Sequence, residues 1–153
     1  MRGVSIVNQL IAPDDTPTAA SIRLVVPIKT RRFNDPAEPD DGFRLLITCY
    51  RPRGVSKADE RWDAWEPKLG PSRALHAAVY GKTGPPIAWS LYRRRYLQEM
   101  RAQRELIADL ARRVAGGETI TLLCSSACER EARCHRSLLR ELIEQEVAKI
   151  RRP

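Results

Sequence analysis

Glu118-Thr119-Ile120-Thr121-Leu122-Leu123-Cys124 follows the helix-stopping pair Gly116-Gly117 and runs into a polar loop. Its apolar residues sit side by side, which reads as a strand rather than an amphipathic helix. Phe43-Arg44-Leu45-Leu46-Ile47-Thr48-Cys49-Tyr50 has the same character. Its Leu45, Leu46 and Ile47 predict burial on both faces, as in a parallel sheet. That strand stops at Arg51-Pro52-Arg53-Gly54, because proline cannot continue a central ladder. Ile22-Arg23-Leu24-Val25-Val26-Pro27-Ile28 reads as a further strand.

Helices fill the intervals. From 87 to 114, Trp89, Tyr92, Tyr96, Leu97 and Met100 recur at three- and four-residue spacing, followed by Leu106, Ile107 and Leu110. Residues 136–150 place Leu138, Leu139, Leu142, Ile143 and Val147 on one side of a last helix. Ser56 is suited to cap a short helix carrying Trp62 and Trp65. Pro71-Ser72 opens another helical stretch through Ala78, and residues 81–86 break the chain again. Strand, helical stretch, strand implies βαβ connections. The expected class is α/β, one compact domain with a small parallel or mixed sheet flanked by helices. Leu45, Ile47, Leu122, Leu139 and Ile143 are expected in its core, with Cys49 and Cys124 at one end of the sheet. Residues 1–20 close on Pro13-Asp14-Asp15-Thr16-Pro17-Thr18 and read as an N-terminal arm or added element, leaving 21–150 as the domain.

A chain of 153 residues suits one domain and buries a core without disulfides. No stretch approaches the roughly 20 apolar residues of a membrane span. The opening residues lack a signal-peptide pattern, so a cytoplasmic location and no membrane partner are expected. The net charge of +8 and pI of about 9.8 favour anionic partners. A small anionic ligand or nucleotide is one such partner, and nucleic acid another. Arg93, Arg94 and Arg95 fan about 100° apart on a helix, which favours a solvated face over a nucleic-acid patch. The aromatic residues at helical spacing read as core rather than a base-stacking platform, and His76 as a surface or satisfied core histidine. Oligomeric state is not legible.

The chemistry gathers in 124–136. Cys124 ends a strand, and Cys134-His135-Arg136 opens a helix after a polar loop. Ligands of open parallel sheets bind at the carboxyl ends of strands. A helix start offers free N–H groups and partial positive charge. Cys124, His135 and Arg136 are therefore the candidate catalytic residues: a thiol, an acid–base group and a fixed cation. Arg51, Arg53, Cys134 and Arg136 are the candidate ligand-binding residues. Cys124 to Arg130 also spells cysteine, five residues, arginine, the spacing of thiol phosphatases. The intervening Ser125-Ser126-Ala127-Cys128-Glu129 has no glycine, however, and Glu129 repels phosphate.

Thr121-Leu122-Leu123-Cys124, followed by Cys134-His135-Arg136-Ser137-Leu138-Leu139, resembles the signature of the domain-of-unknown-function 488 family. Asp41-Gly42-Phe43-Arg44, Arg51-Pro52-Arg53-Gly54-Val55-Ser56-Lys57, Asp63, Trp65, Lys68-Leu69, Pro71-Ser72, Arg95-Tyr96 and Glu99 resemble its YeaO-like branch. The resemblance spans roughly 22–146 and implies a compact α/β fold without implying a reaction. Thr48, Cys49 and Arg51 stand where the family strand carries an aspartate, an arginine and a tryptophan, and the loop from Cys124 to Cys134 is longer than the common form.

Three readings of the cluster follow. One is an anion-binding active site at the end of a strand, which makes the protein an enzyme acting on a phosphate-bearing or other anionic ligand. A second is a zinc set of Cys124, Cys128, Cys134 and His135. Against it, short Cys-x-x-Cys pairs are absent and adjacent Cys134 and His135 rarely both reach one ion, so no metal ligand and no cofactor is assigned. The third is structural, with Cys134 buried as a small hydrophobe, His135 capping the helix and Arg136 paired with a carboxylate. A basic nucleic-acid-binding module is the rival from outside these three.

Overall fold

The computed structural model describes residues 27–153. The expected arm and most of the strand expected at 22–28 lie outside them. Four strands form one sheet, β1 (Ile28–Arg32), β2 (Phe43–Leu46), β3 (Ala64–Trp65) and β4 (Ile120–Cys124), in the order β1-β4-β2-β3. Every pairing is parallel. β4 is central, and all five of its residues are buried, as its unbroken apolar run requires. β1 begins where the expected strand ends and runs through Lys29-Thr30-Arg31-Arg32. Edge position explains a strand so charged: Lys29 pairs with Asp40 and Arg31 with Glu38, and the charges protect the open edge.

Helices α1 (Arg73–Val79), α2 (Trp89–Met100), α3 (Arg104–Ala115) and α4 (His135–Ile150) complete the fold. α4 packs on β1 and β4 and also meets α2 and α3. Leu45, Ile47, Leu122, Leu139 and Ile143 are all in the core. The helical stretch expected from 87 to 114 is two helices joined by a 3-10 turn at Arg101–Gln103. No residue from 101 to 105 is buried, so nothing anchors a continuous helix there.

The helix expected after Ser56 is replaced by a single 3-10 turn, Lys57–Asp59. Ser56 Oγ donates to the Asp59 carboxylate at 2.7 Å instead of capping backbone N–H groups. Trp62 lies in a loop, and Trp65 belongs to β3. Long-range bonds override the local preference. Asp63 accepts from the Arg44 N–H at 2.8 Å, its own N–H donates to the Arg44 carbonyl at 2.8 Å, and Trp65 Nε1 donates to the Thr48 carbonyl at 2.9 Å.

β2 pairing ends at Leu46, short of the expected 50, although the Ile47 N–H still donates to the Leu123 carbonyl at 3.0 Å. Beyond it the chain passes tightly under Gly70. A Cβ there would stand 2.8 Å from the Cys49 nitrogen and 2.9 Å from the Ile47 oxygen. Glycine is thus required where the chain beyond β2 turns toward the site.

Candidate functional site

The carboxyl ends of the strands open into a cavity of about 630 Å³. Cys49 and Cys124 both line it, which places them at the same end of the sheet. Two loops form its mouth. The loop after β2 brings Arg51 and Arg53, and the loop after β4 brings Arg130 and Arg133. Phe33, Tyr50, Trp89 and Tyr92 give it apolar walls.

Cys124, Cys128, Cys134 and His135 line the same cavity. Cys124 Sγ lies 3.2 Å from Cys128 Sγ and 3.3 Å from Cys134 Sγ. His135 stands beside them, its Nδ1 3.8 Å from Cys124 Sγ and 4.0 Å from Cys134 Sγ, and its Nε2 4.0 Å from Cys124 Sγ. Adjacent Cys134 and His135 do reach one place. Cys134 precedes the helix in extended backbone, φ −130° and ψ 144°, while His135 is its first residue. His135 Nε2 lies 2.7 Å from the Ile47 carbonyl. A carbonyl only accepts, so Nε2 carries the proton and Nδ1 keeps its lone pair.

Without a cation among them, three sulfurs in contact cannot all be ionised. The Cys134 S–H donates to Cys124 and the Cys124 S–H to Cys128, and these two neighbouring thiols hold Cys128 down to about 2 and concentrate the charge there. The bond to Cys128 pushes Cys124 up to about 12, and burial adds to the rise. The bond to Cys124, together with Cys128 and burial, drives Cys134 far above the ordinary thiol range. Burial opposes charge on His135, but its contact with Cys134, the Ile47 carbonyl and the charge on Cys128 raise it overall. Cys124 is only 1% exposed, beneath half-buried Cys128.

Arg136 stands apart from the cavity lining. It is 6% exposed, and its Nη2 donates to the Cys128 carbonyl at 3.3 Å, bracing the loop from behind. Arg32 Nη1 braces the same loop at the Ser126 carbonyl, 3.4 Å away. Arg51 reaches the Val55 carbonyl at 3.1 Å and pairs with Glu60.

Sequence reasoning missed His76. It lines the cavity between Tyr50 and Tyr80, with ring centroids 5.1 and 4.6 Å away, and burial lowers its pKa. A lone histidine in a short helix carries no local signal. Only the packing of α1 against the loop after β2 brings it to the site.

A family model described as "Active DUF488-N3 subclade" matches residues 28–147. The chain belongs to the domain-of-unknown-function 488 family. It is 34% identical to the uncharacterized protein YeaO of Escherichia coli over 99 residues, 65% of this chain and 83% of YeaO. It is 28% identical over 116 residues to the uncharacterized proteins Rv3073c of Mycobacterium tuberculosis and Mb3100c of Mycobacterium bovis, 76% of this chain and 92% of each. No solved structure matches the chain. Among the described residues of this DUF488 member, no helix is long and apolar enough to cross a membrane.

Proposed function

We propose that this chain is an enzyme acting on a phosphate-bearing ligand bound in the cavity at the carboxyl ends of the strands. The observation that carries the reading is the charge of the lining. Arg51, Arg53, Arg130 and Arg133 face a single carboxylate, Glu129. A cavity of about 630 Å³ suits a ligand of nucleotide size, and its aromatic walls suit an apolar or ring-bearing part. Arg51 and Arg53 take the phosphate oxygens, each offering a planar fork of donors. Cys124, Cys134 and His135 form the reactive floor beneath the bound phosphate. Arg136 acts through the loop it braces.

The test is a binding and turnover screen. Pyrophosphate, nucleoside phosphates and sugar phosphates are titrated calorimetrically, and their consumption is followed by mass spectrometry. At least one compound should bind. Arg51→Ala with Arg53→Ala should weaken it at least about tenfold, since one lost charge-assisted bond is worth about 1.5 kcal/mol or more. His135→Ala should abolish turnover while sparing binding. Failure of every compound to bind would overturn the reading. So would binding of generic RNA that survives the Arg51/Arg53 change but is lost with Arg93→Ala and Arg94→Ala, which lie exposed on α2. That outcome would favour the nucleic-acid-binding module.

A further inference from the structure

The floor of the cavity is made of soft donors. One ligand atom each from Cys124, Cys134 and His135 lies within 4.8 Å of the others, and all three residues are buried. Cys128 Sγ adds a third sulfur 3.2 Å from Cys124 Sγ. We propose that these four residues bind a zinc ion through three thiolate sulfurs and Nδ1 of His135.

Four observations carry this. First, the donor types fit, because thiolates and imidazole select zinc over hard cations such as magnesium. Second, the histidine is set for it. Its Nε2–H is held by the Ile47 carbonyl at 2.7 Å, which fixes the ring and leaves Nδ1 facing the sulfurs. Metal-ligating histidines are typically fixed in this way by their other nitrogen. Third, the spacing fits. Zinc–sulfur bonds of about 2.3 Å at tetrahedral angles put sulfurs about 3.8 Å apart and a ligating nitrogen about 3.6 Å from each sulfur. Among Cys124, Cys134 and His135 the observed 3.3, 3.8 and 4.0 Å lie within about half an ångström of those values. Cys128, 3.2 Å from Cys124 but outside the set whose ligand atoms all lie within 4.8 Å of one another, swings in on its loop to complete the tetrahedron. Fourth, neighbouring side chains hold the loop that carries Cys128. Arg136 donates to the Cys128 carbonyl at 3.3 Å, and Ser125 Oγ lies 3.7 Å from Cys128 Sγ.

The ion ties the end of β4 and the start of α4 to the loop between them. That loop carries Arg130 and Arg133 into the cavity mouth, so the metal site adjoins the arginines proposed to bind the ligand.

The protein is purified under reducing conditions from zinc-supplemented cells, and its metal content is counted by mass spectrometry. About one zinc per chain is expected, with the thiols shielded from alkylation until a strong chelator is added. Cys134→Ser and His135→Ala should fall to background zinc. Because Cys134 is buried and its variant is at risk of misfolding, Cys128→Ser on the half-buried loop serves as a second variant. It should stay folded by circular dichroism and bind zinc at least tenfold more weakly. Metal-free wild type titrated with cobalt(II) should show a thiolate-to-cobalt charge-transfer band and the visible bands of a tetrahedral ion. Zinc-free, cobalt-silent wild type with reduced thiols would overturn the proposal, as would a disulfide among these cysteines in reducing buffer. Full zinc retention in both His135→Ala and Cys134→Ser would overturn it too. Arg51→Ala with Arg53→Ala should keep its zinc whatever happens to ligand binding, so the two readings fail separately.

Discussion

At Asp41 a buried carboxylate meets three cations. Its side chain is 2% exposed, pairs with Arg44, and lies 3.7 Å from Lys29 and 3.6 Å from Arg31. Burial alone would raise its pKa. The Glu38 N–H, at 3.0 Å, and the Arg44 charge outweigh burial and lower it. A carboxylate with a lowered folded pKa stabilises the protein above its unfolded value of about 4. That stability is lost as pH falls through the folded value. Asp41→Asn should therefore cost about 3 kcal/mol at pH 7, because it strands buried Arg44, and should blunt acid unfolding below about pH 4. Denaturant unfolding at several pH values measures both. Tyr96 gives a second test. It is 0% exposed, and its hydroxyl donates to the Leu69 carbonyl at 2.7 Å, while its ring lies 5.5 Å from that of His135. Tyr96→Phe should lower stability by about 1 to 2 kcal/mol, read from the same unfolding curves.

Among the elements, α1 is the short one that matters to the site, because it presents His76. Ser72 caps it, accepting from the Leu75 N–H at 3.1 Å. Ser72→Ala should cost about 1 kcal/mol and loosen His76, seen as faster amide exchange over 73–79. This helix was legible because serine after proline is a strong start signal. The last helix was legible from the stripe Leu138, Leu139, Ile143 and Val147. Ser56 offers the same local signal, yet a 3-10 turn and β3 follow, because bonds between Asp63 and Arg44 recruit the chain to the sheet edge. The split of the long helical stretch at Arg101–Gln103 was hidden for another reason. Apolar residues resume at Leu106 and Ile107, the latter seven residues after Met100, and only the 3-10 turn between them distinguishes two helices from one.

Over the whole molecule, a parallel sheet with a buried central strand concentrates the loops at one end, and that end holds the cavity. This much was readable from Leu122-Leu123-Cys124 and Cys134-His135-Arg136. The convergence of Cys134 with His135 was not, because it depends on the change from extended to helical backbone between them. Arg136 shows the converse. Its sequence position suggests a ligand clamp, but its guanidinium faces the back of the loop. If the arginines at the mouth bind a charged ligand, affinity should fall as salt rises, and Arg130→Ala with Arg133→Ala should flatten that dependence. The most direct test locates the ligand. Amide chemical shifts of isotope-labelled protein are followed while pyrophosphate or a nucleoside phosphate is added. The account predicts shifts confined to residues 49–54, 76–80 and 125–136. Shifts centred on Arg93, Arg94 and Arg95, with the cavity silent, would contradict it.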